Sequence, residues 1–473
     1  MSTPGVLLAA PGSGSGKTAA ACALMWAMKD RGMRVKACKC GPDYIDPMFH
    51  REVLGIDSKN LDLFFSEPGE LSAGFGRYVE GADITVVEGV MGYYDGMALD
   101  SDRASSYDVA RTLGLPVILV LPCRGAALSL AALVRGLAEY RKDSNIRGII
   151  LNRVSAMLYP RLKTMLEREL KKAGHEIPVV GYLPEDEAFS LESRHLGLVT
   201  PQEMENIREK IQKAGEILSR TVDLEEICRI ASETCVHGKE TKEDGERPKV
   251  LSINERQVRV GIALDEAFCF YYRDNLELLE SLGCRLIPFS PLRDPQLPGE
   301  LDGLILGGGY PELYGRQLSE NKEMQKAVRE NLAGGMPCLA ECGGFMYLHE
   351  ELEEKSGCVW PMAGVIKGRT FPAGKLVRFG YVEIGCAQET AENVKGNSGY
   401  LRQGERIRGH EFHYWDSTDN GSDCRAVKPD GRRQWNGIHM KGNLFAGYPH
   451  LYLPSLPVFA ERFVQACREW KKG

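Results

Sequence analysis

Short runs of apolar, often β-branched residues recur along the first half of the chain: GVLLAA, RVKACKC, ITVVEGV, PVILVLP, GIILNRV and PVVGYLP. Segments with helical spacing separate them. Continuous apolar runs bounded by turn residues read as strands buried on both faces of a parallel sheet, and their alternation with helices predicts a doubly wound α/β domain. From about Gln202 to Thr234 the pattern is helical. A second series then begins, VRVGIAL, CRLIPFSP, DGLILGGG and PCLAEC, with helical inserts such as YRDNLELLESLG. It predicts a second α/β domain that is not a repeat of the first.

Between the two series lies HGKETKEDGERPK, His237 to Lys249, charged and almost devoid of apolar side chains. Such a composition builds no core. The expected organisation is therefore a first domain over 1–235, a charged linker over 236–256 and a second domain over 257–473.

Composition narrows the function classes. At 473 residues, 43% hydrophobic and 26% charged, the chain is globular and too long for one ordinary core. A net charge of -6 offers no chain-wide attraction to nucleic acid or to an anionic membrane, so small-molecule partners are expected. The 14 cysteines are scattered, and no secretory pattern precedes MSTPGVLLAA, so the expectation is a reducing cytoplasm without disulfides or structural zinc. No apolar run reaches the roughly 18 to 20 residues of a membrane-spanning helix.

The first run leads into APGSGSGKT, with strand, loop and alanine-rich helix in that order. In such a loop Gly12, Gly14 and Gly16 let backbone N–H groups converge on phosphate oxygens, Lys17 neutralises phosphate, and the Thr18 hydroxyl suits Mg²⁺. The site is expected to bind a Mg²⁺–nucleotide complex. Its carboxylates should come from neighbouring strand ends, where parallel sheets place their chemistry. Glu88 follows ITVV, Asp43 and Asp46 lie in CGPDYIDP directly after another strand, and Asp95 sits in MGYYDG. Asn152, at the end of GIILN, offers an amide to an adenine edge.

In the second half, CLAECGGFMYL places Cys342 in a strand-to-helix turn. That position exposes a thiol, lowers its pKa at a helix N-terminus and supplies N–H donors such as that of Gly343 for an oxyanion. LILGGGYPE offers a second donor at Gly308. A thiol nucleophile needs a base. His410, His413, His439 and His450 all qualify, and spacing alone does not choose among them.

Seven motifs in this order, the variant P-loop, GPDYIDP, VVEGVMGYYDG, ILNRV, LILGGGYPE, AECGGFMYL and GHEFHY, resemble the cobyrinate a,c-diamide synthase family. The resemblance runs from Val6 to about Leu453. It implies an N-terminal P-loop NTPase-like parallel sheet, related to dethiobiotin synthetase, and a C-terminal flavodoxin-like class I glutamine amidotransferase domain. It also implies a ligase that uses ATP and L-glutamine to amidate the a and c acetates of cobyrinate in cobalamin biosynthesis. An acyl phosphate and ammonia transfer between two sites are the implied chemistry.

Carried over by motif, Lys17 and Thr18 serve the triphosphate and Mg²⁺. Asp43 and Glu88 are metal-site carboxylates, and Asp46 and Asp95 lie near the substrate carboxylate. Cys342 is the glutaminase nucleophile and His450 its histidine. Class I domains usually carry a glutamate two residues after that histidine; here the position is Tyr452, which implies a dyad. The family's P-loop is one residue longer than the common form, which places Ala10 at the first glycine position and Pro11 at a variable one. Another tetrapyrrole, Ni-sirohydrochlorin or hydrogenobyrinate, is the alternative substrate. GPDYIDP after the second strand argues against the paralogous cobyric acid synthase. A non-catalytic P-loop switch would leave Cys342 and the second domain without a role, and a homodimer is left open.

Overall fold

A computed structural model describes residues 3–190, 201–234, 257–387 and 399–470. The chain divides into two compact units, residues 1–243 and 244–473. The charged stretch 236–256 lies outside the described residues.

The first unit is built on seven strands: β1 (Gly5–Ala9), β2 (Val35–Cys40), β3 (Ser58–Leu61), β4 (Ile84–Glu88), β5 (Val117–Pro122), β6 (Ile146–Asn152) and β7 (Val179–Leu183). All pairings are parallel, in the order β3-β2-β4-β1-β5-β6-β7. Every apolar run of the first half became a strand, because a strand covered on both faces needs no polar alternation. The edge strand β3 went unseen: SKNL is short and mostly polar.

Strand order reverses direction around β1, since the chain first moves toward β2 and later toward β5. Ligands of open α/β sheets bind at such switch points, beyond the carboxyl ends of the strands. There the chain passes from β1 through the glycine-rich loop into helix α1 (Lys17–Asp30). Ala19 to Leu24 of α1 are buried without exception, small side chains of high helix propensity that let the helix lie close to the sheet. Helix α2 (Ile45–Glu52) follows β2, and Asp43 Oδ1 accepts the Ile45 N–H at its start, 2.8 Å away. Gln202 to Thr234, read as helical, forms helices over Pro201–Thr221 and Leu224–Ala231.

The second unit contains a six-stranded sheet with a parallel centre. Its strands β8 (Val258–Ala263), β9 (Cys284–Phe289), β10 (Gly303–Leu306) and β11 (Cys338–Glu341) match the four apolar runs. Leu304 and Leu306 join one buried cluster while Ile305 joins another, so both faces of this sheet are covered. Two further sheets that the apolar pattern did not reveal are added, one antiparallel and one mixed. The strands used below are β12 (Arg378–Cys386), β13 (Arg406–His413), β14 (Leu444–Gly447) and β15 (His450–Leu451). β14 extends the parallel sheet beside β11, whereas β15 pairs antiparallel with β13. The chain therefore leaves one sheet and enters another between Gly447 and His450.

Candidate active site

Three neighbouring strands of the first unit end at one level. Leu8 of β1 pairs with Glu88 of β4, and Glu88 pairs with Lys39 of β2. This register places the P-loop, a carboxylate and a lysine side by side. Thr18 Oγ1 donates to Glu88 Oε1 at 2.5 Å, and Lys39 Nζ donates to the same oxygen at 2.8 Å. Lys39 also pairs with Asp46, and His50 Nε2 stands 3.3 Å from Glu88 Oε2, its ring fixed by Ser58 Oγ at 2.9 Å. Glu88 and His50 have no exposed surface, and Lys39 is 4% exposed.

Electrostatics explains why this buried set holds together. Burial opposes the Lys39 charge, and the Asp46 and Glu88 carboxylates overcome it, holding the ammonium well above its usual range. Burial likewise opposes the Glu88 charge, yet Lys39 and then His50 keep that carboxyl well below the usual carboxylate range. Burial and the neighbouring Glu88 push Asp46 up. Lys17 is lowered to about 8 by burial and by the Lys39 charge. Its ammonium bonds the carbonyls of Gly12, at 3.3 Å, and Met91.

A hydroxyl and a carboxylate oxygen 2.5 Å apart at the mouth of a glycine-rich loop form a hard-oxygen pair. That donor set fits Mg²⁺, which keeps several waters and takes one or two protein ligands. Among the described residues no three His, Cys, Asp or Glu side chains converge as a fuller metal cage. Asp43 acts through its charge on Lys39 and Asp46 while its own Oδ1 starts α2. Asp95 Oδ2 accepts the Gly92 N–H at 2.8 Å, and its charge reaches Lys17. Asn152 supports the loop: Nδ2 donates to the Ser15 carbonyl at 2.8 Å, and a Cβ on Gly16 would stand 2.4 Å from that nitrogen. Gly14 and Gly16 have φ of 76° and 89°, as a loop curling around an anion requires.

Sequence reading missed Lys39 and His50. A signal for Lys39 existed: in VKACKC it is a lysine at the buried end of a central strand, where charge is rarely tolerated without a partner.

In the second unit, Cys342 has φ 46° and ψ -102°, a strained conformation for a side chain with a Cβ, and leads into the short helix Gly343–Leu348. The turn is held on both sides. The Cys342 N–H donates to the Gly447 carbonyl at 2.8 Å, and the Gly344 N–H to that of Gly307 at 2.9 Å. A Cβ on Gly344 would lie 2.1 Å from the Leu306 carbonyl oxygen, so the second glycine allows the helix to press onto β10.

The strand-end glycines after β10 do two things. A Cβ on Gly308 would stand 2.2 Å from His450 Cε1, so the absent side chain is the space in which the imidazole sits. The Gly308 carbonyl accepts N–H bonds from Cys269 at 2.9 Å and Phe270 at 3.0 Å. In a trans peptide the following N–H points the opposite way. Gly309 N–H is therefore directed away from that pair, and it lies 3.0 Å from where a Cβ of Gly343 would be. Gly308, named as a donor from sequence, also makes room for the histidine, and the N–H that follows its carbonyl is that of Gly309.

Of the four candidate histidines, His450 meets this loop. It is 3% exposed and pairs with His410 across β15 and β13. The others have different employment. His413 bonds the Trp415 carbonyl at 2.6 Å and stacks on Tyr448 at 3.9 Å, while His439 faces the Asp419 carbonyl at 3.2 Å. His410 lies between the edges of Phe379 and Tyr381, each 5.8 Å away.

One expectation is overturned. Burial, joined by the Glu312, Glu341 and Glu411 charges, pushes the Cys342 thiol well up rather than down. A six-residue helix has too little dipole to offset complete desolvation and three carboxylates. Burial also lowers His450 to about 3, with the His410 and His413 charges adding to it. Both directions favour the uncharged forms, a thiol at Cys342 and a neutral imidazole at His450. All described cysteines are free thiols, and Cys284 and Cys338 are buried in the core as their sequence context suggested.

Both halves match known families. The model of the CobQ/CobB/MinD/ParA nucleotide binding domain matches residues 6–199, and that of the CobB/CobQ-like glutamine amidotransferase domain matches residues 259–456. A cobyrinate a,c-diamide synthase of Listeria innocua serovar 6a is 38% identical over 96% of this chain and 97% of its own. One of Caldanaerobacter subterraneus subsp. tengcongensis is 38% identical, covering 98% of each chain. That of Salmonella typhimurium is 36% identical, again over 98% of each. The chain belongs to the cobyrinate a,c-diamide synthase family. As a family member it is a glutamine-hydrolysing ligase with an N-terminal P-loop α/β domain and a C-terminal amidotransferase domain. No helix among the described residues is long and apolar enough to cross a membrane.

Proposed function

We propose that this protein amidates the a and c acetate side chains of cobyrinate, using ATP and glutamine, within cobalamin biosynthesis. The observation that carries the reading is the presence in one chain of a P-loop site around Glu88 and a thiol–imidazole site around Gly308, in a sequence matched end to end by synthases of that name.

In the first unit, the Gly12–Gly16 loop and Lys17 hold the triphosphate, and Thr18 with Glu88 would hold Mg²⁺. The ion, when bound, offsets charge on the transferring phosphoryl group. Asp43 and Asp46 shape the electrostatics of that pocket, Lys39 balances its carboxylates, and Asp46 and Asp95 border the substrate carboxylate. That carboxylate attacks the γ-phosphorus, ADP leaves, and an acyl phosphate results. Asn152 acts by supporting the loop.

In the second unit, the Cys342 sulfur attacks the glutamine carboxamide carbon while its proton passes to His450. The tetrahedral oxyanion is met by backbone N–H groups of Gly343 and Gly309. Collapse returns the proton from His450 to departing ammonia, and water then hydrolyses the thioester to glutamate. Ammonia displaces phosphate from the acyl phosphate to form the amide.

The test uses purified protein with MgATP and either glutamine or ammonium chloride, offered cobyrinate, hydrogenobyrinate or Ni-sirohydrochlorin. Cobyrinate should be converted to its a,c-diamide at least tenfold faster than the others. Cys342→Ala should lose the glutamine-dependent reaction and keep the ammonium-dependent one, and Lys17→Ala should lose both. A preference for another macrocycle overturns the substrate assignment. Loss of both activities in Cys342→Ala overturns the division of labour.

A further inference from the structure

An imidazole that takes a proton from a thiol at Nε2 must carry its other hydrogen on Nδ1, and a third group must hold it in that tautomer. Two residues beyond His450 the chain has Tyr452, whose ring packs edge-on against Tyr272 at 5.8 Å and brings no carboxylate. The structure provides one from another strand. Glu341, the last residue of β11 and the one before the nucleophile, places Oε2 at 3.9 Å from His450 Nδ1. Its other oxygen, Oε1, accepts the Leu451 N–H at 3.1 Å, which ties the carboxylate to the residue after the histidine. The other two carboxylates facing the thiol are differently placed. Glu411 is occupied by His413 Nε2 and Trp435 Nε1, each 3.3 Å away, and Glu312 lies on the turn after the Gly307–Gly309 loop.

We infer that Glu341 is the positioning residue of the glutaminase site, orienting His450 through Nδ1 in place of a carboxylate at position 452. The inference rests on the Cys342–His450 reading above. Closing the gap by about 1 Å brings Oε2 within hydrogen-bond range of Nδ1–H. That bond opposes the burial that otherwise raises Glu341 to about 8. Nε2 is then left with its lone pair for the Cys342 proton, and the imidazolium formed during attack is stabilised by the carboxylate until ammonia takes the proton. Glu341 exchanges no proton with substrate, and the adjacency of positions 341 and 342 makes one turn position both nucleophile and orienting group.

Glu341→Gln keeps the size of the side chain and the acceptor for Leu451 N–H while removing the charge at Nδ1. With this variant, glutaminase kcat should fall roughly 100-fold with KM for glutamine within about threefold, and ammonium-dependent amidation should be retained. Adding Tyr452→Glu, two residues beyond His450, should recover at least about tenfold of the lost kcat. In the wild-type protein, ¹⁵N-histidine spectra with the His450 signal assigned by its loss in His450→Gln should show the Nδ1–H tautomer. An unchanged kcat in Glu341→Gln, a parallel loss of ammonium-dependent activity, or an Nε2–H tautomer in the wild type overturns the inference. Persistence of glutamine-dependent product in Cys342→Ala would instead remove the reading on which it rests.

Discussion

His450 Cε1 occupies the space that a side chain on Gly308 would fill, with a Cβ there only 2.2 Å from the ring. Glycine 308 is thus a steric requirement for the base and only secondarily a turn residue. Gly308→Ala should displace the imidazole by an ångström or more and lower glutamine-dependent kcat/KM by about 100-fold, since misplacement on that scale costs about that much. Ammonium-dependent amidation should stay within twofold of wild type. Steady-state assays with the two nitrogen sources decide it, and equal losses with both would refute it.

The Lys39 ammonium stands between Asp46 and the fully buried Glu88. Lys39→Met removes the cation and leaves the buried Glu88 and the partly buried Asp46 without it, a change that typically costs about 3–5 kcal/mol. The variant should unfold at lower temperature and lose amidation with glutamine and with ammonium alike. Calorimetry and the two assays would show it; wild-type melting would mean the pair contributes nothing net.

The Cys342 thiol lies well above the ordinary thiol range because it is buried beside three carboxylates. A raised value means that, through neutral pH and beyond, the thiolate fraction grows about tenfold with each pH unit and reaches no plateau. Iodoacetamide labelling of the free enzyme, read by mass spectrometry on the Cys342 peptide, should rise steadily between pH 7 and about 9. The exposed Cys358 provides an internal reference for accessibility. A plateau near neutrality would show an ion pair already formed at rest.

His410 and His450 are both lowered to about 3, chiefly by burial. The unfolded chain binds protons below about 6.5 that the folded chain refuses, so these residues favour folding above that pH and withdraw their contribution as pH falls toward 3. The slope is up to about 1.4 kcal/mol per pH unit for each histidine. His410→Phe, placed among Phe379 and Tyr381, should flatten the fall of Tm between pH 6.5 and 4. An unchanged slope would show that the His410 imidazole is not held neutral.

Much of this was legible in the chain itself. Apolar runs such as ITVVE and DGLIL located the central strands because strands buried on both faces carry their signal locally. SKNL and the antiparallel strands after Leu348 were not legible, since short and half-exposed strands depend on partners that lie far along the sequence. Motif spacing alone brought out the P-loop, Glu88 and Cys342, because a loop that cradles phosphate and an elbow that presents a nucleophile are contiguous.

The sequence by itself determined which chemistry the protein carries: a phosphate-binding loop, strand-end carboxylates and a thiol in a tight turn, each encoded within a dozen residues. Only the tertiary structure shows how those groups are partnered. Residue pattern left four histidines open and family resemblance pointed to His450; the fold brings β15 against the Gly308 loop, and it places Lys39 and His50 on Glu88 and Glu341 near His450. Those relationships join residues tens to more than a hundred positions apart, and the same burial that assembles them reversed the expected direction of the Cys342 thiol. Local pattern specifies groups; desolvation and register, which exist only after folding, set their protonation and their partners.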